Sequence, residues 1–468
     1  MIRRRHFLAA PVLVPLAAAA QTAPPVRQDD TVAPGLRRDV LVRWGDRVTF
    51  DAPPFDPRAV DAEAASAQFG WDARIVGLVT PPPAADGVAR GVLAVAHPTV
   101  EPAMAFPGGV DRPDVAANMQ GATLLNLERQ GGRWIVVDGG FQSRRLTAST
   151  LCHASGPLAD QAGGAVRGVL GVTGGSATPW NSLLLTEGDP AVWSQRLGGL
   201  DPRFARGDAF GWLLELDPLD PQSIPEKRTA LGRYGKADAA AALARGGQAV
   251  VFVAERGAGG FLFRFVSAAP AASGDALDLG TLSVAQVQAG RLAWIALPEG
   301  SAGNAVEVAR QAGATAFDAP SSLAWDARAN RLLFCGGFGV VSMAPDGGDP
   351  AAASMAVTAI ATQRLGAVAT VTPDARGRLL LGTDTGGPVG ARAQTLWAVE
   401  GGSATALYGA PRAAGIGGAA VSSDGGTIFT VARRPGAEPR ASFDRPSTRW
   451  PQFEPGMPPR TALLALAR

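Results

Sequence analysis

The chain has 468 residues but only 3 His and 2 Cys, and that scarcity limits the chemistry open to it. His6 falls in a stretch with the character of a cleaved leader. His97 and His153 are then the remaining imidazoles, and Cys152 and Cys335 the thiols. Structural zinc needs four nitrogen or sulfur ligands, usually in close pairs, so zinc fingers and ribbons are excluded. No Cys-x-x-Cys pair is present, and two distant cysteines cannot staple a disulfide scaffold. Any metal would be held mainly by oxygen, as hard cations are. Cys152 and His153 are adjacent, so one strand would send them to opposite faces, and a thiol–imidazole nucleophile pair is not expected. His97, before Pro98, reads as a loop histidine packed on its strand rather than as a base.

The elements that must position such groups are short. A 46% hydrophobic and 18% charged composition can bury a large core, and 59 Gly with 37 Pro favour many tight turns over long helices. Runs such as GVLAVAHP (91–98), RWIVVDGG (133–140), QAVVFVAERG (248–257) and GFLFRFVS (260–267) have strand length and turn residues at their ends. KADAAAALARG (236–246) is the best candidate for a short helix. In the C-terminal third, Asp326, Asp374 and Asp424 each open an Asp/Gly turn into an apolar strand, 48 and 50 residues apart. That period matches one four-stranded propeller blade. The expected fold is all-β, a β-propeller with extra loops and short helices; a β-sandwich with chance turn similarity is the rival. Blades bury their faces on one another, so residues 41–468 are expected to form one domain.

Residues 1–20 have the three parts of an export signal: basic Arg3 to Arg5, apolar Phe7 to Leu16, and Ala18-Ala19-Ala20 ahead of the cut. Arg4-Arg5-His6-Phe7-Leu8 fits the twin-arginine form, which implies the twin-arginine export machinery as partner and a periplasmic or secreted product. An ordinary secretory signal is the alternative. Residues 21–40 are polar and proline-rich and read as a flexible linker. No later run has the length of a membrane span. Without Arg3 to Arg5 the chain carries 40 basic and 41 acidic side chains, which gives no reason to expect nucleic-acid binding.

Several longer segments narrow the reading. WGDRV (44–48), SRRLTAST (143–150), ATPWNSLLLTEGD (177–189), FGWLLELDPLDPQSIPEKRTALGRY (210–234), FLFRFVSA (261–268) and GATAFDAP (313–320) occur in that order. In order and wording the chain resembles the PhoX family of bacterial alkaline phosphatases, from about Trp44 to about Pro435. The resemblance implies a six-bladed propeller, twin-arginine export, and a phosphomonoesterase built on an iron and calcium cluster. In such a site cations neutralise and polarise the ester while an activated oxygen attacks phosphorus.

The ligand words of that family are largely replaced. Its cysteine ligand becomes Thr173, and its Cys-Glu-Glu-Asn becomes Thr186-Glu187-Gly188-Asp189, which keeps one acid. Its His-Glu becomes Lys236-Ala237, and its Gly-Asp-Asp becomes Ala254-Glu255-Arg256. Its Asp-Arg-Pro-Glu becomes Asp318-Ala319-Pro320-Ser321, its late Glu-Asp becomes Thr383-Asp384, and its early Asn-His-Glu becomes Ala96-His97-Pro98. Glu187, Glu255 and Asp384 could together keep one Ca²⁺, or be ordinary turn and rim acids; iron is not expected. Lys236 could fill a vacated cation position with its own ammonium. Arg144 and Arg145 match the family and either touch an anion or brace the fold. Ser182 and Thr186 lie where a nucleophile could sit, without an evident base.

Two functions follow from the resemblance and its losses. One is a binding or structural module with little or no phosphatase activity, whose partner is a small phosphorylated or other small ligand. The other is a divergent calcium-dependent phosphomonoesterase. A sugar- or peptide-binding propeller using Trp71, Trp180, Trp193 and Trp212 is a third reading, against which these tryptophans read as blade core.

Overall fold

Six short strands, each beginning near one end of a common axis, organise the molecule. They are Arg74–Val79, Val172–Ala177, Lys236–Leu243, Ser322–Asp326, Val368–Pro373 and Gly415–Val421. Each touches the next, and the last touches the first, so they close a ring. Outward from each, antiparallel neighbours complete a blade, giving a six-bladed propeller. The computed structural model describes residues 21–386 and 390–468; the leader expected over residues 1–20 lies outside them. No described helix is long and apolar enough to cross a membrane.

The core consists of the interfaces between blades. One apolar cluster joins Leu93 and Val95 of the first blade to Phe429 and Leu463 of the sixth. Another joins Leu184 of the second to Phe263 and Val284 of the third. A third joins Leu381 and Trp397 of the fifth to Leu333 and Val340 of the fourth. Most strands are therefore apolar on both faces, as strands packed on two sides must be.

The repeated aspartates do the same work in three successive blades. Asp326 accepts from Ala329 N at 3.0 Å, Asp374 from Arg376 N at 3.0 Å, and Asp424 from Gly426 N at 2.9 Å. Each carboxylate shapes the turn between the innermost strand and the next.

Two expectations are corrected. Lys236–Leu243 is an inner strand, not a helix. Alanine favours helix in isolation, but this crowded position needs small side chains on both faces, and tertiary packing overrides the propensity. The region expected as a linker is built into the propeller: Thr31–Val32 extends the fifth blade, and Arg37–Arg43 pairs with the C-terminal strand Ala462–Ala467. A polar, proline-rich composition does not prevent a strand from pairing at a blade's open edge. Short helices, among them Pro113–Met119 and Pro190–Leu197, pack with Trp44, Trp71, Trp193, Phe210 and Phe443 into a separate cluster.

Candidate site at the axis

Charged side chains collect where the inner strands begin. Asp72 stands just before the first inner strand and is fully buried. Arg433, at the end of Thr427–Arg433, donates to it from Nη2 at 2.6 Å and from Nε at 3.0 Å. The same guanidinium reaches Asp384 through Nη1 at 3.2 Å. Arg434 reaches Asp384 at 3.1 Å and Glu101 at 3.4 Å. Consecutive strand residues point to opposite faces. Here Arg434 has φ +51°, and this left-handed turn lets both arginines reach one carboxylate.

Asp238 is the second centre. Its Oδ2 accepts from Arg74 at 2.7 Å and from Leu323 N at 2.9 Å, and its Oδ1 accepts from Gly175 N at 2.8 Å. One carboxylate thus ties together the inner strands of four blades. Glycine makes room for it: a Cβ on Gly174 would lie 2.3 Å from Asp238 Oδ1, and one on Gly415 would lie 2.3 Å from the Asp384 carboxyl. Burial raises the Asp238 carboxyl above the usual carboxylate range, against the pull of Arg74. At Asp72 burial pushes the same way, but Arg433 and Arg434 overcome it and hold the carboxyl below that range.

Two cavities flank these groups. One of about 320 Å³ runs along the axis and is lined by all six inner strands, with Arg74 and Asp238 in its wall. The other, about 380 Å³, is lined by Glu101, Asp384, Arg434, Glu438 and Arg440 among others.

The acids expected to share a calcium ion are not brought together. Glu187 is wholly buried, with Lys227 Nζ at 2.9 Å and the N–H groups of Leu170, Gly211 and Trp212 on its two oxygens. Glu255 accepts from Phe261 N, and burial raises its carboxyl. Asp384 belongs to the two arginines. Among the described residues no three His, Cys, Asp or Glu side chains gather as metal ligands would. At the remaining ligand positions, Thr173 Oγ1 donates to Lys236 O at 2.8 Å, and Ser321 Oγ donates to Cys335 O at 3.2 Å. Thr383 Oγ1 accepts from Thr395 N at 2.8 Å. Gly188 and Ala237 carry no ligand atom on their side chains. Ala319 also offers none and adopts φ +41°.

Lys236 is buried and its ammonium is held by carbonyls, Gly211 O at 2.7 Å, Gly232 O at 2.8 Å and Tyr234 O at 3.1 Å, over the Tyr234 ring. The expected internal cation is present, but the lysine that neutralises an acid is Lys227. Burial brings Lys236 down to about 7.

Arg144 and Arg145 brace the fold. Arg144 donates to Pro221 O and Ser223 O, and Arg145 to the carbonyls of Asn118, Gln120 and Ala122. Carbonyl acceptors hold both terminal nitrogens of each guanidinium. Ser182 Oγ donates to Glu215 Oε1 at 2.6 Å; that carboxylate also holds Trp180 Nε1 and Arg228. Thr186 lies beside Thr173 in the blade interior. His97 is buried between Asp72 O and Thr123 Oγ1. Cys152 faces the core while His153 faces solvent. Trp71, Trp193 and Trp212 are buried.

Asp72, Arg74, Asp238, Arg433 and Arg434 are the residues that sequence reasoning missed. The one local signal was a lone aspartate inside an alanine run.

The profile described as Alkaline phosphatase PhoX matches residues 18–374. The Pseudomonas fluorescens PhoX structure in complex with vanadate, a transition-state analogue, superposes with a TM-score of 0.85 at 23% identity, over 96% of this chain and 98% of that one. A putative 6-phosphogluconolactonase from Bacteroides uniformis ATCC 8492 is far more distant, with a TM-score of 0.34 at 11% identity over 75% of this chain and 76% of that one. No curated protein matches the sequence. With a family profile covering most of its length, and the propeller architecture in common, the chain belongs to the PhoX alkaline phosphatase family.

Proposed function

We propose that this family member is an exported propeller that binds a small anionic ligand at the axial site and does not hydrolyse phosphomonoesters by metal chemistry. The observation carrying this reading is that Asp72, Asp238, Asp384 and Glu187 are each neutralised by an arginine or lysine of the chain itself. A multi-cation cluster needs several carboxylates free to converge, and a hard cation takes six or more oxygens. The donor set described above does not fit an iron and calcium cluster. Export through the twin-arginine route to the periplasm is part of the same proposal, supported by the Arg4-Arg5-His6-Phe7-Leu8 run.

The test is elemental analysis of the folded, exported protein, with a chromogenic phosphomonoester assay with and without added Ca²⁺. Metal-poor protein without turnover is expected. Bound iron, or calcium-dependent turnover abolished by Glu187→Ala or Asp384→Ala, overturns the proposal in favour of a hydrolase.

A further inference from the structure

The cavity of about 380 Å³ lies off the axis, among loops of the fifth, sixth and first blades. Its walls come from residues 384–386, 390–394, 411–414, 434–441 and 101–104, with Val26 of the N-terminal segment. Main-chain bonds fasten these walls to one another. Ala393 N donates to Pro24 O at 2.9 Å, Arg412 N to Arg27 O at 2.7 Å, and Phe443 N to Ala103 O at 2.7 Å. Its volume falls within the range of small-molecule sites, about 300–1,000 Å³.

The charges in its wall are unequally spent. Asp384 is held by Arg433 and Arg434, and Glu438 by Arg412 at 3.0 and 3.2 Å. Glu101 receives only Arg434 Nη1, at 3.4 Å, and its Oε2 accepts no hydrogen bond among the described residues. Arg440 has no hydrogen bond or ion pair among the described residues, and Arg392 donates only Nη1, to Ala23 O at 3.0 Å. Two guanidiniums without a counter-charge therefore share the cavity with one underused carboxylate.

The backbone marks the same place. Of the eight described non-glycine residues with left-handed φ, three line this cavity: Ala413 at +60°, Arg434 at +51° and Arg440 at +73°. Such conformations are costly to hold and gather at ligand clamps.

We infer that this cavity binds a free α-amino dicarboxylic acid, with its ammonium on Glu101 and its carboxylates on Arg392 and Arg440. Two carboxylates and one ammonium match the unspent charges one for one. A planar guanidinium suits a carboxylate with two parallel hydrogen bonds. Only the free amino acid carries all three charges, since a peptide bond would remove one. The inference goes beyond the axial site proposed above and does not require the axis to work without metal.

Titration calorimetry at low salt on the folded, exported protein tests it, with L-glutamate and its ammonium-free counterpart glutarate as separate ligands. L-Glutamate should bind, and glutarate should bind about tenfold or more weakly. Arg392→Gln and Arg440→Gln should each weaken L-glutamate about tenfold. Glu101→Gln should weaken L-glutamate but not glutarate, which also shows that the variant is folded. Glutarate binding as tightly as L-glutamate overturns the ammonium seat. Wild-type affinity in both arginine variants overturns the placement in this cavity, and no binding of L-glutamate overturns the site. Elemental analysis of the same sample reads the axial proposal separately.

Discussion

Arg433 and Asp72 form a two-pronged ion pair, at 2.6 and 3.0 Å, between residues 361 apart in sequence. The carboxylate is sealed from solvent, and the pair joins the first blade to the sixth. Burying two charges is costly, and the attraction between them offsets that cost only with good geometry and further hydrogen bonds. Asp72 has both: Thr99 Oγ1 and Ala73 N occupy its remaining lone pairs.

Arg433→Met removes the main partner of a buried charge. The expected loss is about 3–5 kcal/mol of unfolding free energy, read as a lower urea midpoint. Adding Asp72→Asn should return part of it. A single-variant loss below about 1 kcal/mol would show that the pair does not hold the blades together.

Lys236 gives stability a pH dependence of predictable sign. Its proton affinity falls from an ordinary 10.5 to about 7 on folding, so between those values the unfolded chain binds more proton. Stability from this group is therefore full above about pH 10.5, declines as pH falls towards 7, and is absent below it. Lys236→Met should flatten the curve in that window, by up to about 1.4 kcal/mol per pH unit, in chemical denaturation at pH 7 to 10. An unchanged slope would mean that the lysine titrates normally in the fold.

His97 acts at lower pH. Its Nδ1 faces the Asp72 carbonyl and must donate, so Nε2 accepts from the Thr123 hydroxyl, and the ring is neutral. Burial, then the charge of Arg145, holds it well below 6.5. Its contribution is present above about pH 6.5 and is lost on further acidification. His97→Gln should therefore show a shallower loss of stability than the wild type between pH 6.5 and 5. Equal acid sensitivity would count against it.

Neither thiol should react in the folded protein. Burial pushes Cys152 up to about 12 and Cys335 up to about 11, so the thiolate is scarce and shielded. A colorimetric thiol reagent should label neither cysteine in buffer and both in denaturant. Rapid labelling of native protein would contradict the burial of both side chains.

The propeller was readable because its signals are local. Asp326, Asp374 and Asp424 repeat at blade spacing, and the residues that recognise the family lie in continuous runs. The axial network was not readable because its pairs are distant. Arg74 and Asp238 are 164 residues apart, and no spacing rule joins them. Lys236 shows the intermediate case: its charge could be foreseen, but not the ring of carbonyls that receives it. The alanine run around Asp238 misled for the same reason, since its strand conformation is imposed by neighbouring blades.

The closing blade also dictates when folding can finish. Arg37–Arg43 lies between solvent and Ala462–Ala467, and Arg460 donates to Trp44 O across 416 residues. The N-terminal strand must wait, unpaired, until the last strand has been synthesised. Loss of residues 462–467 would deprive it of the one sheet neighbour it has among the described residues and leave both Thr427–Arg433 and Arg37–Arg43 with bare edges. The ring thus acts as a check on the completeness of synthesis: a shortened chain cannot close, however well its first five blades form.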